Sequence, residues 1–490
     1  MYFAGLDVGT TCCKCQLIDA KGNVVAYQIK DYDFKKINGQ NYIDIDVIWQ
    51  NIESMLTTVS KEGDIKTITV SSLGESFVAL DKQDNILFYP MLYTDNRGEE
   101  QSQFIKEKFS SKRLFEITGT TPSSMYSLYK LLWIKNNYPE IFSKIDKVLL
   151  IGDYINYKLS GQRVIDYSLA SRTGMFDILK KKFSDELLKE LDLPENIFSK
   201  PVLAGTVIGK VLPKIANELK INSDCIVVAG AHDQVCSAIG AGVTKAGLCV
   251  DGMGTVECIT AVTNKPEKNL QMGLEGYTCT PYAVEGYYCS YLLNYTCGAL
   301  VNWFRKTLLQ GFVPNGENFF SYYESHMSFE PTGLICLPYF NGAATPYQDI
   351  NAKGAIINLQ ISTAPSDIYK AIMEGTSYEM RLNLENMQKY GMSIKNLIAT
   401  GGGSNSKKWL QIKADILGVN VYPLVNSEAG ICSSAMLGAV AVGDYKNLDE
   451  AKEAFVKYKE MIKPNLVMTA KYDKIFEKYK KTYQLIKELY

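Results

Sequence analysis

Histidine is nearly absent from this chain: His232 and His326 are the only two in 490 residues. Cysteine is more plentiful at twelve. However, Cys13 and Cys15 lie one residue apart and no partner CxxC stands elsewhere, so a Cys/His zinc site is not expected. Basic excess is missing too. The formal net charge is -1, which gives a nucleic acid nothing to bind. No apolar run approaches the roughly 20 residues of a membrane span. The longest candidates, such as Ser434 to Gly443, are short and rich in small residues. The first residues lack a basic region and Asp7 breaks their apolar run. No secretory signal is therefore expected, and the cysteines read as reduced, mostly buried thiols of a cytoplasmic protein. Two nucleotide-binding signatures are missing as well. Gly205 to Val211 has the wrong glycine spacing for a Walker A loop, and GxGxxG does not occur. A bound ATP would have to be held by other means.

The length exceeds one ordinary core, so two large domains are expected. The chain opens with an apolar segment, Tyr2 to Leu6, that runs into Asp7-Val8-Gly9-Thr10-Thr11. Alternation at Cys13, Cys15 and Leu17, a turn at Lys21-Gly22-Asn23 and the segment Val24 to Ile29 predict a β-meander. A similar pattern returns at mid-chain: Gly247 to Val250, then Asp251-Gly252-Met253-Gly254-Thr255, then Glu257 to Val262. Counted from the aspartate, the second turn is one residue longer than the first. Helices are predicted at Asp46–Ser60, Leu128–Asn136, Gln234–Gly240, Ile368–Tyr390 and Lys407–Leu417. Strands are predicted at Ile68–Ser72, Cys225–Ala229 and Leu397–Thr400. This alternation predicts an α/β architecture with mixed sheets. The boundary is placed near Val243 to Gly247, dividing residues 1-245 from 246-490. The lysine- and glutamate-rich helices beyond Leu448 read as solvated faces.

Four strings could hold chemistry. In the first turn, backbone N–H groups and the hydroxyls of Thr10 and Thr11 can donate to phosphate. Lys14 adds a cation, and Asp7 at a strand end can serve Mg²⁺. Alone, this string is equally a plain hairpin. Gly254 and Thr255 would be its partner across a cleft, although alone that turn reads as structural. Gly401-Gly402-Gly403-Ser404, between a strand and a helix, permits close approach of a flat ring or a phosphate. Asp233, in Gly230-Ala231-His232-Asp233-Gln234, follows a strand end where active-site carboxylates collect. Read alone, it is an N-cap for the helix that follows.

Together these strings resemble the FGGY carbohydrate kinases. The resemblance also takes in Tyr93-Thr94-Asp95-Asn96-Arg97, Asp153 to Gly161, Gly342-Ala343-Ala344-Thr345-Pro346, Trp409 to Asp415 and Glu428-Ala429-Gly430. The motifs run in family order from residue 3 to about residue 440. The resemblance implies two actin-like (ribonuclease-H-like) domains with a central cleft, ATP and Mg²⁺ as cofactors, and transfer of phosphate to a sugar or polyol. It makes Asp233 the general base and Asp7 the metal ligand. Thr10, Thr11, Lys14, Gly254, Thr255, Gly401, Gly402, Gly403 and Ser404 fall to the nucleotide. Glu75, Ser76, Asp95, Arg97, Asp233 and Gln234 fall to the substrate. The length and the Gly-Gly-Gly-Ser motif are similar to those of xylulokinases, so pentuloses such as xylulose are the first expected acceptors.

Three departures stand out. Gly74-Glu75-Ser76-Phe77 precedes Leu80-Asp81 where many pentulose kinases carry Gln-Met-His-Gly. Gly-Ala-Ala-Thr-Pro replaces Gly-Glu-Arg-Thr-Pro, and Val256 stands where serine is common. Glu75 is expected either to accept sugar hydroxyls or to face solvent or pair with Arg97. An actin-like ATPase working on a protein partner is the alternative reading of the phosphate turns. A homodimer is carried as an open expectation.

Overall fold

The structure is a computed structural model that describes residues 1–313, 317–426 and 428–490. The first meander forms as expected: β1 (Tyr2–Val8), β2 (Cys12–Asp19) and β3 (Val24–Asp31) pair antiparallel. β4 (Ile65–Ser72) lies parallel on the other side of β1. β5 (Val207–Lys210) and β6 (Ile226–Val228) complete a sheet of order β5-β6-β4-β1-β2-β3. Helix α1 (Ile45–Val59) crosses between β3 and β4, with its N-terminus capped by Asp44. Ile48, Ile52, Met55 and Leu56 of α1 are buried against this sheet, the spacing of an amphipathic helix.

The second half repeats the plan. β7 (Leu248–Met253), β8 (Glu257–Thr263), β9 (Thr280–Pro281), β10 (Tyr288–Asn294), β11 (Asn396–Thr400) and β12 (Asn420–Pro423) order as β9-β10-β8-β7-β11-β12. In each half an antiparallel meander is extended by parallel strands on the free side of its first strand. This is the duplicated actin-like, ribonuclease-H-like architecture. Helix α3 (Pro365–Lys389) crosses between β10 and β11.

Two helices lie between the sheets. α2 (Asp233–Gly240) follows β6, and α5 (Ala429–Ala441) follows β12; α4 (Lys407–Leu417) comes between β11 and β12. Phe3 and Ile18 of the first sheet, Val250 and Ile398 of the second, and Ile239 and Met436 of the two helices share one core. The approach is very close. A Cβ on Gly5 would stand 2.7 Å from the Ile431 carbonyl oxygen, and one on Gly240 only 1.8 Å from that of Ala429.

Two expectations need correction. Between the last paired residues, the first hairpin holds four residues (Val8 opposite Cys13) and the second three (Met253 opposite Glu257), so the second is shorter. The extra residue after Asp251 belongs to the strand. Asp233 is also not the cap of α2. His232 occupies that position without a side-chain bond, and Asp233 is the first helical residue. The backbone leaves β6 beside β4, where Ser72 N donates to Ala231 O, and Ser168 Oγ takes the His232 N–H. Those bonds set the end of the loop without help from the Asp233 carboxylate.

Candidate active site

Asp233 is the first residue of α2, with its side chain 35% exposed overall but its Oδ1 buried. Its Oδ1 has no hydrogen bond, although His232 Nε2 stands 3.2 Å away. Burial pushes this carboxyl up to about 7, and the charges of Asp7 and Glu75 add to the effect. Burial, with Arg172 adding, holds His232 well below its ordinary range, so the imidazole beside Asp233 is neutral. Asp7, near the end of β1, accepts from Ser71 Oγ at 2.8 Å, the only hydrogen bond of its carboxylate among the described residues. Burial raises its carboxyl as well, against the pull of Ser71 and Lys14.

The two hairpins flank these carboxylates. Gly9, Thr10 and Thr11 connect β1 to β2, and Gly254, Thr255 and Val256 connect β7 to β8. Neither glycine is required by the chain itself. An added Cβ would meet only ordinary contacts, 3.6 Å from Cys12 O at Gly9 and 3.5 Å from Val256 O at Gly254. What a side chain would occupy there is the space beside the turn. Lys14 is not free, because its Nζ bonds Glu428 Oε2 at 2.7 Å just before α5. Burial opposes the ammonium, but Glu428 outweighs it and holds Lys14 above its usual range.

A pocket of about 620 Å³ opens beside the second hairpin. Gly254 and Thr255 form one wall, Gly402, Gly403 and Trp409 another, and Phe320 and Tyr369 supply aromatic surface. The glycine run divides by role. Gly401 has φ +82, and a Cβ added there would stand 2.8 Å from the Met253 carbonyl oxygen, so it is a packing glycine. A Cβ on Gly402 would meet nothing within 4 Å, which leaves that backbone open to the pocket. Ser404 is turned inward, donating to Gly401 O at 2.7 Å, and neither it nor Gly401 lines the pocket.

The remaining candidates lie in the first half of the chain. Glu75 is buried and pairs with Arg172, whose Nε donates at 2.6 Å. It neither faces solvent nor touches Arg97, so both of those expectations are corrected. Arg97 is committed to Asp95, Gln40 and Tyr42. Arg172 is also stacked within 5.0 Å of the Tyr126 ring. Ser76 Oγ is buried without a partner, and Gln234 is half-buried beside Asp233. Asp95 and Arg97 border a polar hollow of about 320 Å³. Lys130 stands between Asp95 and Glu75 electrostatically. Its burial brings it down to about 8, and its Nζ is spent on the carbonyls of Ser124 and Met125. Tyr93 feels both Glu75 and Asp233.

Sequence reasoning missed Arg172, Lys130, Phe320, Tyr369 and Trp409 as site residues. Only Trp409 stood inside a recognised string, and its Nε1 has no partner among the described residues.

Family models for the FGGY carbohydrate kinases match this chain twice, with the N-terminal domain over residues 2–240 and the C-terminal domain over 252–442. The chain belongs to the FGGY family of carbohydrate kinases. Xylulose kinase of Bacillus subtilis (strain 168) is 27% identical over 496 residues, covering 100% of this chain and 98% of the relative. Among solved structures, a ligand-bound xylulose kinase and a gluconate kinase, both from Lactobacillus acidophilus, each superpose with TM-score 0.90 and 27% identity. Each match covers 99% of this chain and 98% of theirs. The ATP-dependent sugar kinase reading therefore stands, and the alternative of an actin-like ATPase finds no support. Among the described residues no helix is long and apolar enough to cross a membrane.

Proposed function

We propose that this kinase transfers the terminal phosphoryl group of ATP to a hydroxyl of a ketose, with a pentulose such as xylulose favoured over other polyols. The observation that carries the residue roles is the placement of Asp233. An unpartnered carboxylate oxygen, on a carboxyl raised to about 7, stands at the start of α2 within reach of the charges of Asp7 and Glu75. Phosphoryl transfer rests mainly on positioning and charge stabilisation, and one base suffices to take the hydroxyl proton.

In this reading Asp233 removes the proton from the attacking hydroxyl. Thr10, Thr11, Gly254 and Thr255 donate to the phosphates, and Lys14 leaves Glu428 to join them. Gly402 and Gly403 lie against the adenosine, while Gly401 and Ser404 keep that wall in shape. Asp95, Arg97, Glu75, Ser76 and Gln234 surround the acceptor. Residues 1-245 thus serve the sugar and the base, and 246-490 the nucleotide. The enzyme works in the cytoplasm.

Magnesium fits the residues present. Asp7 has one hydrogen-bonded oxygen and faces Asp233 electrostatically. Mg²⁺ commonly takes one or two carboxylates, with phosphate and water completing its shell. Among the described residues no cluster of three or more His, Cys, Asp or Glu offers an all-protein cage. When bound, the ion supplies neutralisation of phosphate charge; Asp7 would hold it.

The xylulose kinases among the relatives, similar over nearly their whole length, support a ketose over a sugar acid as the acceptor. A coupled ADP-release screen over ketoses, aldoses, polyols and gluconate tests this. Turnover highest with a pentulose is expected; preference for gluconate would overturn it.

A further inference from the structure

Behind the nucleotide pocket lies an ionic cluster that phosphoryl transfer does not use. Lys413, Asp251 and Glu257 are all 0% exposed. Lys413 Nζ bonds Asp251 Oδ2 at 2.5 Å and also bonds Glu257 Oε1. Asp251 Oδ1 and Glu257 Oε2 have no partner. Burying three ionisable groups is expensive, and apolar residues of similar volume commonly serve stability as well or better. The cluster therefore calls for a reason beyond stability.

Its location supplies one. Asp251 lies in β7, and Glu257 is the first residue of β8, paired across the sheet with Met253. The two carboxylates thus bracket the hairpin Gly254–Val256. Lys413 comes from α4, one turn beyond Trp409, and α4 starts directly after the Gly402–Gly403 wall. The hairpin and that wall are the opposite sides of the pocket. No hydrogen bond joins Thr255 or Val256 to residues 402–409 among the described contacts. The lysine is a side-chain tie between the two sides, beyond the backbone pairing of β7 with β11 that ends at Gly252 and Thr400. Burial raises the Glu257 carboxyl, opposed by Lys413 and reinforced by Asp251.

We infer that Lys413, clamped by Asp251 and Glu257, is a positioning residue that fixes the spacing between the phosphate-binding hairpin and the adenosine-facing wall. This rests on reading the pocket as the nucleotide's. A ligand spanning both walls should feel the clamp; one touching a single wall should not. A merely structural cluster would affect both alike.

The experiment replaces all three residues together (Lys413→Met, Asp251→Asn, Glu257→Gln), leaving no buried charge, and titrates ATP and adenosine by calorimetry. Expected is a loss of about tenfold in ATP affinity with adenosine changed by less than about twofold. Should the triple variant not fold, Asp251→Asn alone, which leaves Lys413 paired with Glu257, is read the same way and should lose about threefold for ATP only. An unchanged ATP-to-adenosine ratio in a folded variant overturns the proposal. Gly402→Val, run in parallel, separates the two readings. If it weakens both ligands while the triad variant keeps the ratio, only the clamp is wrong. If folded Gly402→Val binds both ligands as wild type does, the pocket is not the nucleotide's and both readings fall.

Discussion

A carboxyl with a raised pKa works against the fold that holds it. Asp233 has its pKa raised from 3.8 to about 7. A raised carboxyl disfavours the charged form in the folded state, so its unfavourable contribution grows as pH rises through that window and is fully present above it. Asp233→Asn should therefore melt at a higher temperature than wild type at pH 8, with the difference vanishing near pH 4. It should also lose roughly 10²-fold or more in kcat. Thermal melts at the two pH values, with turnover, check this; a variant that melts lower at pH 8 would contradict it. In the wild type, kcat/KM should climb with pH toward about 7 as Asp233 ionises. Glu75→Gln removes a charge that raises Asp233, so it should move that limb to lower pH. It also leaves Arg172 buried without its carboxylate, which should lower the melting temperature. An unmoved limb would detach Glu75 from the base. Asp7, Thr10 and Asp233 were legible because strand ends announce themselves by pattern. Arg172 was not: its partner lies 97 residues away, and nothing local marks a buried cation.

Elements were read more securely than the turns between them. Helix Lys407–Leu417 was predicted at its observed bounds, because Ser406 caps it and Gly418 closes it. Hairpin length was misjudged because it depends on cross-strand register, which a single strand's pattern does not contain. Ser434 to Gly443, considered above as a membrane candidate, overlaps α5. Its apolar residues point all round because the helix is enclosed between two sheets. Small residues there let α2 and α5 touch backbone to backbone. Gly240→Val should therefore be severe, since even a Cβ would lie 1.8 Å from Ala429 O. Overpacking commonly costs about 1–3 kcal/mol and occasionally more, and this contact belongs at the upper end. Gly39→Ala, where nothing lies within 4 Å, meets only the strain of φ +78 and should lose far less. Chemical denaturation of the two variants measures the difference; equal losses would mean that α2 and α5 can separate cheaply.

At the scale of the molecule, the duplication was visible only as two turns of related pattern, whereas the matching strand order of the sheets needed the structure. The shared layer of α2 and α5 also constrains motion. With Gly240 against Ala429 and Lys14 bonded to Glu428, the floor of the cleft has no slack for sliding. The mouth differs: Thr11, Gly254, Thr255 and Val256 are exposed, and the hollow bordered by Asp95 and Arg97 opens to solvent. A kinase must keep water from taking the phosphoryl group, and closing the mouth over both substrates achieves this. Closure should therefore be a rotation of the halves about the α2–α5 layer. It should be driven by ligands that touch both sides, since a ligand shifts such an equilibrium only by its preference for the closed state. On the proposed assignment ATP alone meets mainly the second half, so it should compact the protein little. A nonhydrolysable ATP analogue together with a pentulose should reduce the radius of gyration measurably in small-angle scattering. Scattering curves identical with and without both ligands at saturation would mean that the cleft is already closed, and that water is excluded by the ligands themselves.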